Sequence, residues 1–145
     1  MAIERRDYIM RMIEELRQFL TAILQLRTSG QPDEALSAVL RAQERLSSLP
    51  PGQFSALSPA EQFEVLTQGE TPDAALPKCL LQADLLIETG RIYEAKHRPV
   101  LALGAWNYAR QILEMTAARF PEDPRGEISR RLTEIRRQLA TIGSD

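Results

Sequence analysis

The chain has 145 residues, a length typical of one domain with a single modest core. Hydrophobic residues make up 43% and charged residues 26%, which excludes a disordered chain. One cysteine, one histidine and a net charge of −2 exclude a disulfide framework and a Cys/His zinc site, and they do not favour nucleic-acid binding.

The start of the chain predicts neither a signal peptide nor a membrane anchor. It is charged from Glu4 onward, and no apolar run approaches the ~20 residues that span a membrane. We therefore expect a soluble, cytoplasmic protein, and the unpaired Cys79 is compatible with a reducing compartment.

The first half of the chain predicts three helices. Residues 3–29 place apolar side chains at spacings of three and four, which is typical of a long amphipathic helix that ends at Gly30. Pro32 begins a second helix that continues to about Ser48. The motif Ser58-Pro59-Ala60-Glu61 predicts a capping box and a short third helix that ends near Gln68.

The second half predicts three more helices. After a short turn at Thr71-Pro72, a helix proper is expected from Pro77. Pro99 begins a fifth helix that ends near Arg119, and Asp123-Pro124 caps a sixth that extends to about Ile142. No segment alternates with a period of two, so the pattern predicts an all-α fold of about six helices.

The segment 86–109 closely resembles the tetratricopeptide repeat. Its pattern is Leu86-x₂-Thr89-Gly90-x₂-Tyr93, followed by Ala102-x₃-Trp106-x₂-Ala109. Small residues at Gly90 and Ala102 let two antiparallel helices cross closely. Tyr93 and Trp106 then fill the space beside the crossing, and Ala109 admits the next helix.

The first helix pair resembles the same repeat more weakly. The matching residues are Gly30 in the turn and then Ala35-x₃-Val39-x₂-Ala42. Ala35 lies 67 residues before Ala102, its counterpart in the other segment. The resemblance implies one domain, 1–145, of antiparallel tetratricopeptide-like hairpins in an α-α superhelix. The hairpins are expected at about 16–49 and 83–119, with an inserted helix at about 59–68 and a capping helix at about 124–142.

The opening stretch 6–14, which leads to the Gly30 turn, resembles an uncharacterised bacterial family of small tetratricopeptide-like proteins. This second resemblance implies a fold and a bacterial cytoplasmic setting. The family supplies no catalytic residues to transfer to this chain.

The two side chains best suited to nucleophilic or metal chemistry, His97 and Cys79, have no suitable partners in sequence. Lys96 and Arg98 flank His97, and two adjacent cations disfavour a metal ion. Cys79 lies on an apolar helical face, so a buried structural thiol is expected. We therefore assign no catalytic residue, no metal ligand and no cofactor.

Charged residues on two predicted helices suggest ion pairing. Asp84 and Glu88 share a helical face, but a di-metal site would also need Glu-x-x-His motifs, and the chain has none. The last helix carries an arginine cluster, for which a solvated face paired with neighbouring glutamates is favoured over an anion-binding patch. The cluster consists of Arg130, Arg131, Arg136 and Arg137.

The first helix extends beyond its hairpin partner and carries an apolar patch near its start. Either a second chain buries this candidate interface in a homodimer, or the middle or C-terminal helix folds back over it. The patch consists of Tyr8, Ile9, Met12 and Ile13.

Stacked helical hairpins form a groove suited to a peptide, which indicates the class of function. We predict a non-enzymatic helical-repeat module for protein–protein interaction that self-associates and binds neither nucleic acid nor membrane. The alternative is a small-molecule-binding or catalytic helical domain that uses an interhelical pocket with polar groups of perturbed pKa.

Overall fold

The structure, a computed structural model, describes residues 2–143, and these form six α-helices without a strand. The all-α prediction with about six helices is confirmed. Residues 1 and 144–145, which the predicted domain range includes, lie outside the described part. The helices are α1 (Ala2–Thr28), α2 (Pro32–Ser47), α3 (Pro59–Thr67), α4 (Pro72–Ala95), α5 (Pro99–Arg119) and α6 (Glu127–Gly143).

Helix α4 is the centre of the molecule, since it contacts each of the other five helices. Helices α1 and α2 pack against each other and both pack on α4, while α5 packs on α4 and α6 packs on α5. A helix with neighbours on all sides must be apolar around most of its circumference. In agreement with this, more than half of the residues of α4 are buried, from Ala74 to Ile92.

Opposite faces of α4 contribute to two hydrophobic clusters. Leu81 and Leu85 join the cluster formed with α1, α2 and α3. Ala83 and Ile87 join the cluster of α5 and α6, whose largest buried side chain is Trp106. The two clusters therefore make one continuous core through α4.

Helix α4 begins at Pro72 rather than at Pro77, where the helix proper was expected. Pro77 removes a single intrahelical hydrogen bond, the one to the carbonyl of Asp73. The first turn already holds through the N–H groups of Ala74 and Ala75, which donate to Thr71 at 3.0 and 2.8 Å. Because Ala74 and Ala75 are also buried, packing outweighs the lost bond and the helix continues through the proline.

Helix α6 begins at Glu127, a few residues later than expected, yet the predicted capping residue does cap it. Asp123 has a left-handed backbone, with φ 39°, in the turn before the helix. Its carboxylate accepts hydrogen bonds from the N–H groups of Ile128 and Ser129, both at 3.0 Å. The cap therefore reaches the helix across a turn rather than directly.

The α1–α2 and α4–α5 turns have the same backbone geometry, 67 residues apart in sequence. Gly30 (φ 80°) and His97 (φ 59°) are the left-handed residues. In each turn this residue donates its N–H to the carbonyl three residues earlier, and the next N–H bonds to the carbonyl five residues earlier. The N···O distances are 3.3 and 2.9 Å in the first turn and 3.0 and 2.9 Å in the second. Pro32 and Pro99 then begin the next helices.

None of the described helices is both long enough and apolar enough to cross a bilayer.

Candidate functional site

The residues assigned to the repeat pattern lie where helices cross. On α2, Ala35, Val39 and Ala42 are buried against the core, and Leu86, Ala102 and Ala109 are buried on α4 and α5. Tyr93 is half-buried, and Gly30 is exposed in its turn. The buried positions therefore contribute packing, whereas Gly30 serves the turn.

The tightest crossing in this set is between Gly90 and Trp106. A Cβ atom added at Gly90 would lie 2.7 Å from Cε2 of the indole ring, closer than real Cβ contacts allow. The indole N–H donates to a Glu94 carboxylate oxygen at 3.1 Å, so the ring is fixed both by packing and by a hydrogen bond. The close approach is therefore possible only because residue 90 has no side chain.

Most of the candidate interface on α1 is covered by the chain itself. Ile9, Met12 and Ile13 are buried in the core, because the start of α1 packs on α2 and α4. Tyr8 stays 47% exposed, and the guanidinium of Arg45 lies over its ring and donates to its hydroxyl at 2.8 Å. Within the chain, α2 and α4 therefore cover these three side chains, whereas α3 and α6 do not contact α1.

Neither His97 nor Cys79 lies in a reactive setting. His97 is exposed in the α4–α5 turn. Cys79 has no exposed surface, and burial raises the pKa of its thiol to about 11. A thiol with so high a pKa is almost wholly protonated at neutral pH, and the protonated form is a poor nucleophile.

The carboxylates of Asp84 and Glu88 are both held by arginines. Arg131 of α6 binds Asp84 through two parallel hydrogen bonds of 2.8 and 2.9 Å. Arg27 and Arg91 donate to different oxygens of Glu88 at 2.8 and 3.0 Å. Both acids therefore form ion pairs, and these pairs link α4 to α1 and α6. Among the described residues, no group of three or more His, Cys, Asp or Glu could hold a metal ion.

The arginine cluster of α6 is largely engaged within the chain. Besides Arg131, Arg130 donates to the carbonyl of Arg125 at 3.1 Å, and Arg137 pairs with Glu134. Arg136 is exposed. Two of the four guanidinium groups, those of Arg131 and Arg137, are therefore paired with a carboxylate.

The best candidate for a binding site is a groove between α2 and α5. Within the described part of the chain these two helices do not contact each other, and α3 lies between them on top of α4. Beyond α3 the space stays open as a groove of about 240 Å³. We call this space the α2–α5 groove. Its lining residues are Leu36, Val39, Leu40, Gln43, Ser55, Gln62, Leu86, Thr89, Tyr93 and Tyr108.

A chain of three buried glutamines runs beneath the α2–α5 groove. Gln62 of α3 donates to the backbone carbonyls of Phe54 and Leu57 at 3.3 and 3.2 Å. Gln82 of α4 donates to the side-chain oxygen of Gln62 at 3.0 Å, and Gln43 of α2 donates to that of Gln82 at 3.4 Å. The three side chains are at most 5% exposed. We refer to them as the glutamine chain.

A groove between stacked hairpins was expected from the sequence, but neither the residues that line this groove nor the glutamine chain were predicted. The three glutamines come from three different helices, and no spacing rule connects residues that meet only through tertiary packing. The available signal was a polar residue in an otherwise apolar stripe, as at Gln82 beside Leu81.

No protein-family model, no curated protein and no solved structure matches this chain.

Proposed function

We propose that the protein is a non-enzymatic interaction module that binds a helical segment of a protein in the α2–α5 groove. One observation carries the proposal: the chain's own α3 lies between the same two helices, on the same floor of α4. The space is therefore shaped for a helix, and α3 fills only part of it. Helix-in-groove binding uses an apolar trough of this kind.

The groove is open to solvent and does not enclose a ligand. Its volume of about 240 Å³ is below the about 300–1,000 Å³ that is usual for pockets of drug-sized ligands. Leu40, on its wall, is apolar and 47% exposed, so its side chain is accessible to a partner.

The organisation of the helices supports a tetratricopeptide-like repeat as the framework. The two hairpins share one turn geometry at a separation of 67 residues. In addition, α4 packs against both helices of the first hairpin, as successive stacked hairpins do. The proposal includes a bacterial, cytoplasmic setting, to which the resemblance at the chain start points.

The state of the acidic residues supports a non-enzymatic role. A general acid or base must be able to exchange a proton with a substrate. Asp84 and Glu88 each have both carboxylate oxygens bonded to arginine. Both acids line a depression between α1 and α4, which is one place for the alternative function, a small-molecule or catalytic site between helices.

The proposal is tested by selecting helical segments from a display library against the folded protein. We expect enriched sequences with apolar residues at spacings of three and four. Their binding should fall at least about tenfold with Leu40→Asp, because a charge in an apolar contact must be desolvated without a partner.

A matched control for this experiment is Leu24→Asp on α1. Leu24 is 41% exposed and lies on the face opposite the groove, beside α4. This variant should bind the selected segments like the wild type. Segments that bind both variants equally, or a selection that enriches no shared apolar spacing, would contradict the proposed function.

A further inference from the structure

Helix α3 and the loop before it form a locally bonded unit. The Ser58 hydroxyl accepts from the N–H of Glu61 at 3.2 Å, and the Glu61 carboxylate accepts from the N–H of Ser58 at 2.9 Å, which completes the capping box. The amide of Gln62 donates to two backbone carbonyls of the preceding loop. The unit therefore makes most of its hydrogen bonds within itself. We call residues 50–69, which it spans, the α3 segment.

The α3 segment is attached to the other helices by one polar bond and by apolar contacts. Gln82 of α4 donates to the side-chain oxygen of Gln62 at 3.0 Å. Among residues 2–143, no other hydrogen bond or ion pair is recorded between the segment and another helix. The apolar contacts include Phe54 and Leu66, which are 2% and 0% exposed. Since hydrophobic contacts have no fixed direction, another helix with apolar side chains can make them too.

The other five helices are connected to one another without α3. Helices α1, α2, α5 and α6 all pack on α4, and neither α1 nor α6 contacts α3. Exposed glycines lie near both ends of the segment, where Gly52 has φ 80° and Gly69 has φ 73°. Glycine accepts large changes of backbone angle, as a hinge requires. Release of the segment would therefore leave the framework in place and open the whole space between α2 and α5.

The side chain of Gln82 determines what can replace α3. It is 0% exposed, so its amide would lose a buried acceptor when Gln62 leaves. A helix that covers this site again must supply a new acceptor, because a buried amide without one is costly. A glutamine or asparagine does so without burying a charge. Around this bond α3 shows the apolar pattern that fits, since half-buried Phe63 follows Gln62 and buried Leu66 lies four residues after it.

We propose that a partner helix replaces α3 in the groove, and that it carries an amide side chain that accepts from Gln82 and a leucine four residues later in the place of Leu66. In the free protein α3 is then an internal competitor that covers the binding surface. This inference rests on the proposed function, since it names the chemistry of the partner helix. Helix α3 has nine residues, fewer than the ~12–15 that an isolated helix needs in water, so it should unfold once displaced.

Hydrogen exchange of the full chain, with no partner present, tests whether α3 opens on its own. The α3 amides should exchange together and at least about tenfold faster than those of α4. The decisive variant is Ile135→Ala, whose site is 0% exposed on α6. It should accelerate exchange in α4, α5 and α6 but not in α3, because α6 stays folded when α3 opens. Acceleration of α3 by the same factor would mean that α3 opens only when the whole fold does, and would overturn the inference.

The affinity of selected helical segments tests the replacement itself. Leu66→Ala weakens the internal competitor without changing the surface that α3 covers, so the segments should bind at least about tenfold more tightly. Ile135→Ala, the matched control, should bind them like the wild type. If Leu66→Ala is poorly folded, Ser58→Ala removes only the exposed cap and should increase affinity about fivefold. Leucine in place of the segment's amide residue should weaken binding at least about tenfold.

The results distinguish this inference from the proposed function. Segments that bind the wild type and Leu66→Ala equally would lie beyond α3, which would overturn the inference and keep the proposed function. Segments without an amide residue, or segments that tolerate leucine in its place, would overturn the chemistry assigned to the partner. A selection that yields no segment on either chain would contradict the proposed function, and the inference with it.

Discussion

At the scale of the residue, the close approach of α4 and α5 depends on the absence of a side chain at Gly90. A methyl group there would meet the Trp106 ring at 2.7 Å, and the ring is held in turn by Glu94. The three atoms nearest to such a methyl group all belong to the indole ring, which is not the flexible end of a long side chain. The strain would therefore pass into the helix crossing at the middle of the molecule.

We expect Gly90→Ala to lower the free energy of unfolding by about 1–3 kcal/mol, since it overpacks a filled core. The matched control is Gly104→Ala on α5, where an added Cβ would meet nothing within 4 Å. That control should raise stability by about 0.4–1 kcal/mol, because it restricts the unfolded chain. Chemical denaturation measures the free energy of unfolding of both variants. Equal changes in the two would contradict the close approach of α4 and α5 at Gly90.

His97 occupies a backbone conformation that suits glycine. Its φ is 59°, in the place that Gly30 takes in the equivalent turn. His97→Gly should raise stability by roughly 0.5–1 kcal/mol, as relief of the left-handed strain exceeds the entropy cost of glycine. Gly30→Ala should have the opposite sign. Thermal unfolding measures both, and a destabilised His97→Gly chain would mean that the histidine side chain makes a stabilising contact.

At the scale of the element, α6 depends on one carboxylate for its N-terminal cap. Partial burial acts to raise the pKa of Asp123, but the hydrogen bonds from Ile128 and Ser129 prevail and hold it below its usual value. A carboxyl with a depressed folded pKa contributes stability above its unfolded pKa and loses it as pH falls through the folded value. The cap should therefore weaken only in acid.

We predict that α6 loosens below about pH 4, where an ordinary aspartate is already about half protonated and the depressed pKa of Asp123 is approached. Hydrogen exchange of the amides of Ile128 and Ser129 as a function of pH reports the change. Asp123→Asn keeps an acceptor but does not titrate, so its exchange should lack this pH dependence. An identical acid response in the two proteins would assign the loosening to other carboxylates.

The elements themselves could be predicted from the sequence to a large extent. Capping residues such as Ser58 and first-turn prolines such as Pro99 act locally, so six helices could be placed with good boundaries. The start of α4 could not, because the burial of Ala74 and Ala75, which outweighs the effect of Pro77, is a property of the tertiary fold. Local sequence rules overestimate the effect of a proline on a helix boundary when tertiary packing holds the surrounding turn in place.

At the scale of the whole molecule, α4 joins two hairpins and α3 into one body, and the α2–α5 groove is partly filled by α3. The sequence left open whether the start of α1 would be covered, because cover depends on where α2 and α4 pack. The groove was still harder to foresee. Its polar floor is assembled from Gln43, Gln62 and Gln82, which lie on three different helices.

The glutamine chain should contribute to the stability of this assembly. Gln82→Leu leaves the amide of Gln43 and the oxygen of Gln62 without partners, so we expect a loss of about 1–3 kcal/mol in the free energy of unfolding. Urea denaturation measures the loss. A neutral result would show that water replaces the missing amide.

The central claim, that the α2–α5 groove is the binding surface, is tested most directly by amide chemical-shift mapping. The folded chain is titrated with a helical segment selected on it. The account predicts shifts concentrated at the groove residues of α2, α4 and α5, including Leu40, Gln43, Thr89 and Tyr108. Shifts concentrated instead around Leu24 and Glu88, on the opposite side of α4, would contradict it.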